Sequence, residues 1–333
     1  MISEAIKKLV CSEELTREEA YESMLEILRG EATDAQIAAF LIALRMKGES
    51  PVEIASFVRA MRESCVKIRA PDAVDTCGTG GDLTKTFNIS TCSAFVIAGA
   101  GIRVAKHGNR AVTSKAGSAD VLEALGVKID MQPADVQRCI DELGICFMFA
   151  PIFHPAMRHA VKVRREIAIR TVFNMLGPLT NPAGVKRQVV GVYSLEALDK
   201  VAGALAELGC EHAFVVHGEE GIDECSVCGK TQAREVVDGR VEKRTFSPDD
   251  FGLARHGAGA LSGGDAGSNA KEITAILKGE LKGAKLDAVL ANSALGIIVG
   301  GGADDLREGV AIARESIESG MALKKLEQMR NFR

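Results

Sequence analysis

After Pro71 the sequence loses helical periodicity and becomes short apolar runs alternating with amphipathic segments. That alternation restricts this part of the chain to βα units around a largely parallel sheet. Residues 102–105, 188–193 and 213–217 read as strands, the first ending at Lys106-His107-Gly108-Asn109-Arg110. Residues 119–125, started at Ser118, and 195–208 read as helices. So does 270–277, with Asn269 as its cap and Glu272 at its third position. Leu306, Val310, Ala313 and Ile317 stripe the last long helix, which Gly320 ends.

Residues 1–68 have a different texture, that of consecutive helices. Thr16-Arg17-Glu18-Glu19 is a capping box for a helix running toward Gly30, and Thr33 with Gln36 opens the next. Ser50-Pro51-Val52-Glu53 adds a proline at the first helical position, ahead of a stripe of Ile54, Phe57, Val58 and Met61. The helix around 38–44 is apolar on more than one face, which predicts burial on two sides and a subunit contact. Residues 155–184 interrupt the βα rhythm with Arg158, Lys162, Arg164, Arg165 and Arg170 on a helix-like stretch. The Pro- and Gly-rich piece 174–182 after it reads as an ordered turn. The whole segment is expected to cross back to the N-terminal helices.

At 333 residues, 47% of them hydrophobic, the chain can bury the core of two domains. No stretch approaches the roughly 18 uncharged apolar residues of a membrane span, and Met1-Ile2-Ser3-Glu4 lacks the layout of a secretion signal. A net charge of −4 argues against a general nucleic-acid surface, and no Trp with two Tyr leaves little for base stacking. The nine cysteines form no framework and read as reduced thiols. Cys225-x-x-Cys228 has no second pair at ligand spacing, so it reads as structural.

Three stretches carry chemistry. Asp75-Thr76-Cys77-Gly78-Thr79-Gly80-Gly81-Asp82 follows a short apolar run, and Thr86-Phe87-Asn88-Ile89-Ser90-Thr91 then leads into the small and apolar residues 94–101. Strand, glycine loop and helix start make a phosphate cradle, although a tight structural turn would look the same. Leu83 occupies the third-glycine position of a dinucleotide fingerprint, and no Gly-Lys-Ser/Thr follows, so neither common phosphate loop is present. Lys106-His107-Gly108-Asn109-Arg110 with Thr113-Ser114-Lys115-Ala116-Gly117-Ser118 forms a second cradle at a strand end. Two cradles predict a ligand with two phosphoryl groups. The adjacent acids Asp223-Glu224, after a strand and a glycine-containing loop, suit Mg²⁺, which takes few carboxylates and leaves its other sites to phosphate and water.

These motifs, with Phe173-Asn174-Met175-Leu176-Gly177-Pro178-Leu179-Thr180-Asn181-Pro182 and Gly221-Ile222-Asp223-Glu224, closely resemble the anthranilate phosphoribosyltransferase family over nearly the whole chain. The resemblance implies an α/β fold with a separate all-α domain. Residues 1–68, completed by part of 155–185, would be a small N-terminal helical domain; residues 69–333 would be a large α/β domain with a central, mainly parallel sheet. Ligands would lie in the hinge cleft, and a homodimer would form through the helical domain. The implied activity is Mg²⁺-dependent transfer of the phosphoribosyl group of phosphoribosyl pyrophosphate (PRPP) to anthranilate, a cytoplasmic step of tryptophan biosynthesis, with no nucleic-acid or membrane partner.

By motif match, PRPP would meet Gly78, Gly81, Asp82, Thr86, Asn88, Ile89, Ser90, Thr91, Lys106, His107, Gly108, Asn109, Arg110, Ala111, Val112, Thr113, Ser114 and Ser118. Mg²⁺ would fall to Ser90, Asp223 and Glu224. Anthranilate would meet Gly78, Asn109, His154 and Arg164, with His107, Asn109 and Arg164 orienting and no residue assigned as general base. Leu83 and Ala168 stand where the family usually has glycine, and Cys225 and Cys228 are not family features. Two alternatives share the fold: a pyrimidine nucleoside phosphorylase-like enzyme and a non-catalytic nucleic-acid-binding paralogue. The run from Gly177 to Pro182 and the acid pair speak against the first, and the net charge with an intact ligand set against the second.

Overall fold

The computed structural model describes residues 1–80, 86–111, 115–257 and 259–333. It opens with four helices, α1 (Ile2–Val10), α2 (Arg17–Leu28), α3 (Asp34–Lys47) and α4 (Pro51–Glu63). Thr16 with Glu19, Thr33 with Gln36 and Ser50 with Glu53 all form complete capping boxes, each satisfying two N–H groups that a helix start leaves open. Ile54, Phe57, Val58 and Met61 are buried, and the Phe57 ring meets Phe40 edge-on at 5.8 Å. Glu53 does more than cap. Its buried carboxylate accepts the Ser50 N–H at 2.8 Å and the Leu15 N–H at 3.0 Å, and pairs with the buried Lys47 ammonium at 2.8 Å. One side chain thus ties the start of α4 to the end of α3 and the approach to α2.

The rest of the chain builds one seven-stranded sheet. In spatial order its strands are β3 (Ile145–Phe149), β2 (Val104–Gly108), β1 (Val74–Gly78), β4 (Arg187–Gly191), β5 (His212–Gly218), β6 (Thr231–Val237) and β7 (Arg240–Phe246). The first five are mutually parallel, and β6 and β7 add an antiparallel ribbon at one edge. Helix α5 (Ile89–Gly99) follows β1, and α6 (Ser118–Ala124) and α7 (Pro133–Leu143) follow β2. After β3 come α8 (Ala150–Phe153), α9 (Arg158–Ile167) and α10 (Phe173–Leu179); α11 (Leu195–Glu207) follows β4. Four helices close the chain: α12 (Ala266–Leu277), α13 (Ala284–Val299), α14 (Leu306–Glu318) and α15 (Met321–Asn331). Both α5 and α13 are apolar nearly all round, so each must be covered on every side. They meet that need by packing on each other beneath the sheet. No helix among the described residues is long and apolar enough to cross a membrane.

Helices α9 and α10 pack on α2, α3 and α4, and Ala160, Val163, Phe173 and Leu176 share an apolar cluster with the first four helices. Four boundaries differ from the sequence reading. Strand β2 continues through Lys106 and His107, which pair in register with Phe147 and Met148, because buried partners receive their polar groups. Residues 173–179 are helix, with Pro178 in the last turn, where its missing N–H removes one bond. Helix α12 starts a turn early, capped by Asp265, while Asn269 is buried inside it. Finally, Gly320 ends α14 and leads directly into α15. Ala168 caps α9 at φ 49°, a left-handed conformation that strains a residue with a Cβ.

Glu53→Ala would leave Lys47 buried without its partner, so urea unfolding should show a loss of about 3–5 kcal/mol. A loss below about 1 kcal/mol, the worth of a cap alone, would contradict the anchoring role.

Candidate active site

Chain order reverses direction at β1, with β2 on one side and β4 on the other. Such a switch point opens a crevice at the carboxyl ends of the strands. Here β1 ends at Gly78 and β4 at Gly191, which are direct register partners. The loop after β5 lays Asp223 across both. A Cβ at Gly78 would lie 2.2 Å from Asp223 Oδ2, and one at Gly191 would lie 1.5 Å from the Asp223 carbonyl oxygen. Neither position can take a side chain unless Asp223 shifts, and at Gly191 it is backbone that must move. Gly78 was legible as part of a glycine loop; Gly191 was not, its signal being a lone glycine at the end of an apolar strand.

The first loop then folds over the same point. The Thr79 N–H donates to the Gly191 carbonyl at 2.9 Å, and the Gly80 N–H donates to Asp223 Oδ2 at 2.7 Å. Glu224 Oε1 accepts the Ser90 N–H at 3.2 Å, in the first turn of α5, where the helix dipole favours a negative charge. Lys106, 3% exposed, donates from Nζ to the Thr76 carbonyl and to Ser90 Oγ at 3.5 Å. From beneath, the buried amide of Asn292 on α13 accepts the Cys225 N–H and donates to the Cys225 carbonyl, both at 2.9 Å. Asn292 thereby fixes the residue next to Glu224. Sequence reasoning missed it, although an asparagine inside an apolar helix is the signal.

Asp223, Glu224 and the Ser90 hydroxyl are hard oxygen donors, the type that suits Mg²⁺. Among the described residues no group of three or more His, Cys, Asp or Glu could hold a metal. The two carboxylates therefore fit an ion that draws its remaining ligands from a bound phosphate and water. Cys225 and Cys228 are free, and burial pushes the Cys225 thiol up to about 12.

The second cradle is shaped by Asp120, which the sequence reading did not single out. One of its oxygens accepts the N–H groups of Ala111 and Gly117, both at 2.9 Å, closing the loop between β2 and α6. The Asn109 carbonyl accepts the Ala119 N–H at 3.2 Å and the Ser118 hydroxyl at 3.3 Å, and Gly108 lies against Ser118. Asn88 joins the two cradles, donating to the Ala116 carbonyl at 3.1 Å and accepting from Asn269 at 2.9 Å. Thr86 bridges to Ser262, Ile89 is core, and Thr91 is buried with a hydroxyl that has no partner among the described residues. The Arg110 guanidinium turns away from the acid pair, held by Asp120 at 2.9 Å and Glu123 at 2.8 Å. Gly81, Asp82, Val112, Thr113 and Ser114 lie outside the described residues.

The His107 and His154 rings lie tilted at 52° to each other, 5.0 Å between centroids. Burial pushes His107 down to about 3, helped by the neighbouring His154, and His154 down to about 4. Both rings are therefore neutral, with Nε2 atoms that have no partner among the described residues. Beneath them Asp75, which burial pushes up, accepts the His107 N–H at 3.3 Å and the Asn181 amide at 2.8 Å. Asn181 also donates to the Ala105 carbonyl at 2.8 Å, so the 173–182 motif is tied to both β1 and β2. Arg164 lies over the Phe173 ring at 5.0 Å. No ion pair reaches it among the described residues, and burial lowers its pKa. A guanidinium in that state is prepared for a planar carboxylate.

Residues 70–323 match the a/b domain of a glycosyl transferase family, and residues 3–65 match the helical bundle domain. The chain is 54% identical over 331 residues to an anthranilate phosphoribosyltransferase of Anaeromyxobacter dehalogenans, covering 99% of this chain and 98% of that one. The crystal structure of anthranilate phosphoribosyltransferase from Thermus thermophilus superposes with a TM-score of 0.93 at 46% identity, over 98% of each chain. The Saccharomyces cerevisiae enzyme, solved in complex with PRPP and Mg, is 30% identical with a TM-score of 0.89, over 98% of this chain and 96% of that one. It has also been solved in complex with 4-fluoroanthranilate.

Two outcomes follow from this geometry. Gly191→Ala should force the Asp223 loop off β4 and cost about 1–3 kcal/mol in urea unfolding; an unchanged midpoint would contradict the close packing. The histidines set a pH dependence. Their folded pKa values lie below the unfolded value of about 6.5, so the unfolded chain takes up protons that the native site refuses. Stability is full above about pH 6.5 and falls as the pH drops toward about 4. Between about pH 7 and pH 5.5, His154→Phe should lose roughly 1 kcal/mol less stability than the wild type. Equal losses would contradict a buried neutral His154.

Proposed function

The chain belongs to the anthranilate phosphoribosyltransferase family of the glycosyl transferases; from that premise we propose that it transfers the 5-phosphoribosyl group of PRPP to the amine of anthranilate. The products are N-(5-phosphoribosyl)anthranilate and pyrophosphate, and the step serves tryptophan biosynthesis in the cytoplasm, with no nucleic-acid or membrane partner. The observation that carries this reading is the Asp223-Glu224 pair, locked over the ends of β1 and β4 and facing Lys106 and the first turn of α5.

PRPP binds across the two cradles, on Gly78, Gly81, Asp82, Thr86, Asn88 to Thr91, Lys106 to Ser114 and Ser118. At Arg110 the contact falls to the backbone, since Asp120 and Glu123 hold the guanidinium. Asp223, Glu224 and Ser90 would hold Mg²⁺, which would supply positive charge to offset that of the leaving pyrophosphate. The Lys106 ammonium, fixed by Thr76, adds a preorganised charge on the same side. Arg164 takes the anthranilate carboxylate in its fork, and the ring also meets Gly78 and Asn109. An aromatic amine is neutral near pH 7 and attacks without prior deprotonation. His107 and His154, made poor bases by burial, orient the substrate rather than store its proton.

The helical domain comprises residues 1–68 and part of 155–185, and the α/β domain residues 69–333, with the ligands in the cleft between them. A homodimer forms through the helical domain. Apolar side chains left in the open there, Val10 at 70% and Met46 at 83% exposure, support that contact.

The fluorescence of anthranilate should fall on adding PRPP, and only with Mg²⁺ present. Arg164→Ala should raise the KM for anthranilate by about tenfold or more, the loss of one charged pairing, with the KM for PRPP unchanged. Asp223→Asn with Glu224→Gln should abolish Mg²⁺-dependent turnover. Full activity in either variant would sink the corresponding assignment.

A further inference from the structure

Arg164 has a counterpart elsewhere in the chain. Arg62, near the end of α4, donates from Nε to the Leu179 carbonyl at 2.9 Å, and no ion pair reaches it among the described residues. Burial lowers its pKa, as it does for Arg164, and its electrostatic neighbours are the thiols of Cys65 and Cys210, which burial keeps protonated. A half-buried guanidinium with no acid beside it retains an unmet demand for an anion.

Arg62 lines an open groove of about 850 Å³ that includes none of Asp223, Lys106 or Arg164. One wall is α2 and α4, carrying Arg17, Tyr21 and Arg59; the other is the loop at 181–184, with Lys67 between them. The remaining charges are partly committed. Glu207 takes Arg17 at 2.6 Å, its carbonyl accepts from Arg59 at 3.0 Å, and the Tyr21 hydroxyl takes Glu63. Glu18 and Glu63 also line the groove, but among the described residues no ion pair ties either acid to Arg62 or Lys67. Ile68 and Leu208 add apolar lining, and the size suits a small organic molecule.

We propose that this groove is a second anion-binding site, taking a small molecule by a phosphate or carboxylate group on the Arg62 guanidinium, with Lys67 at its rim. A fork that pairs oxyanions in two bonds, set beside an apolar wall, selects a compact oxyanion with a hydrophobic body over a free halide. Because its walls come from both sequence segments that match separate domains, an occupant would bridge them.

Hydrogen–deuterium exchange on the intact protein tests this, with inorganic phosphate or acetate replacing chloride at constant ionic strength. Exchange should slow in peptides covering 59–68 and 179–184, and Arg62→Gln should abolish that protection. Any slowing by phosphate in peptides carrying Ser90 and Lys106 should persist in the variant, which separates this site from the proposed PRPP site. Protection by phosphate alone, acetate alone or both identifies which oxyanion the groove accepts. Lys67→Met, on an exposed side chain that folding does not need, should raise the half-saturating concentration several-fold. Equal protection in the wild type and both variants, or slowing confined to the Ser90 and Lys106 peptides, would overturn the proposal.

Discussion

Asp223 rests on two strand ends that carry no side chains, and most of the site follows from that close approach. A backbone loop can reach the sheet only where Gly78 and Gly191 stand opposite each other, so the β1–β4 register determines where the acids lie. Once there, both carboxylates are more than nine-tenths buried and must be compensated. Gly80 and Ser90 supply N–H donors, α5 supplies the positive end of its dipole, and Asn292 holds the chain just beyond. The same contacts pull the first glycine loop and the α5 N-terminus together. The first glycine loop, the α5 N-terminus and the acid pair are therefore brought together by one packing event.

Burial shapes the other half of the site in the opposite sense. It strips His107 and His154 of protons, and it leaves Arg164 charged but without an acid. Neutral imidazoles, and a guanidinium with no ion pair among the described residues, suit a neutral amine and a carboxylate on one flat ring. The Asp75–Asn181 pair beneath them ties the 173–182 motif to β1 and β2. In this way the segment that also packs on the helical bundle is anchored to both strands.

Features governed by near neighbours were legible in the sequence. The capping boxes at Thr16, Thr33 and Ser50 involve residues three apart, and all three form as read. The glycine loops and the acid pair were legible as motifs because each is short and chemically distinctive. What escaped depends on distant partners. Asn292 serves a backbone 67 residues away, and Gly191 is required to be glycine only because Asp223 arrives from another loop. Lys106 and His107 looked like a loop because they are polar; they belong to β2 because Thr76 and Asp75, on the next strand, receive their donors. The Pro- and Gly-rich run before Pro182 looked like a turn, yet tertiary packing sustains a helix through Pro178.

The central claim is that Asp223 and Glu224, held over the β1 and β4 ends, are the protein's ligands for the cation that accompanies PRPP. Crystals grown with PRPP and Mn²⁺ in place of Mg²⁺, measured at the manganese absorption edge, test it directly. The account predicts an anomalous peak about 2.0–2.3 Å from an oxygen of Asp223 or Glu224, the distance expected for a hard divalent cation. A manganese ion bound to PRPP with neither carboxylate in its coordination shell would contradict it.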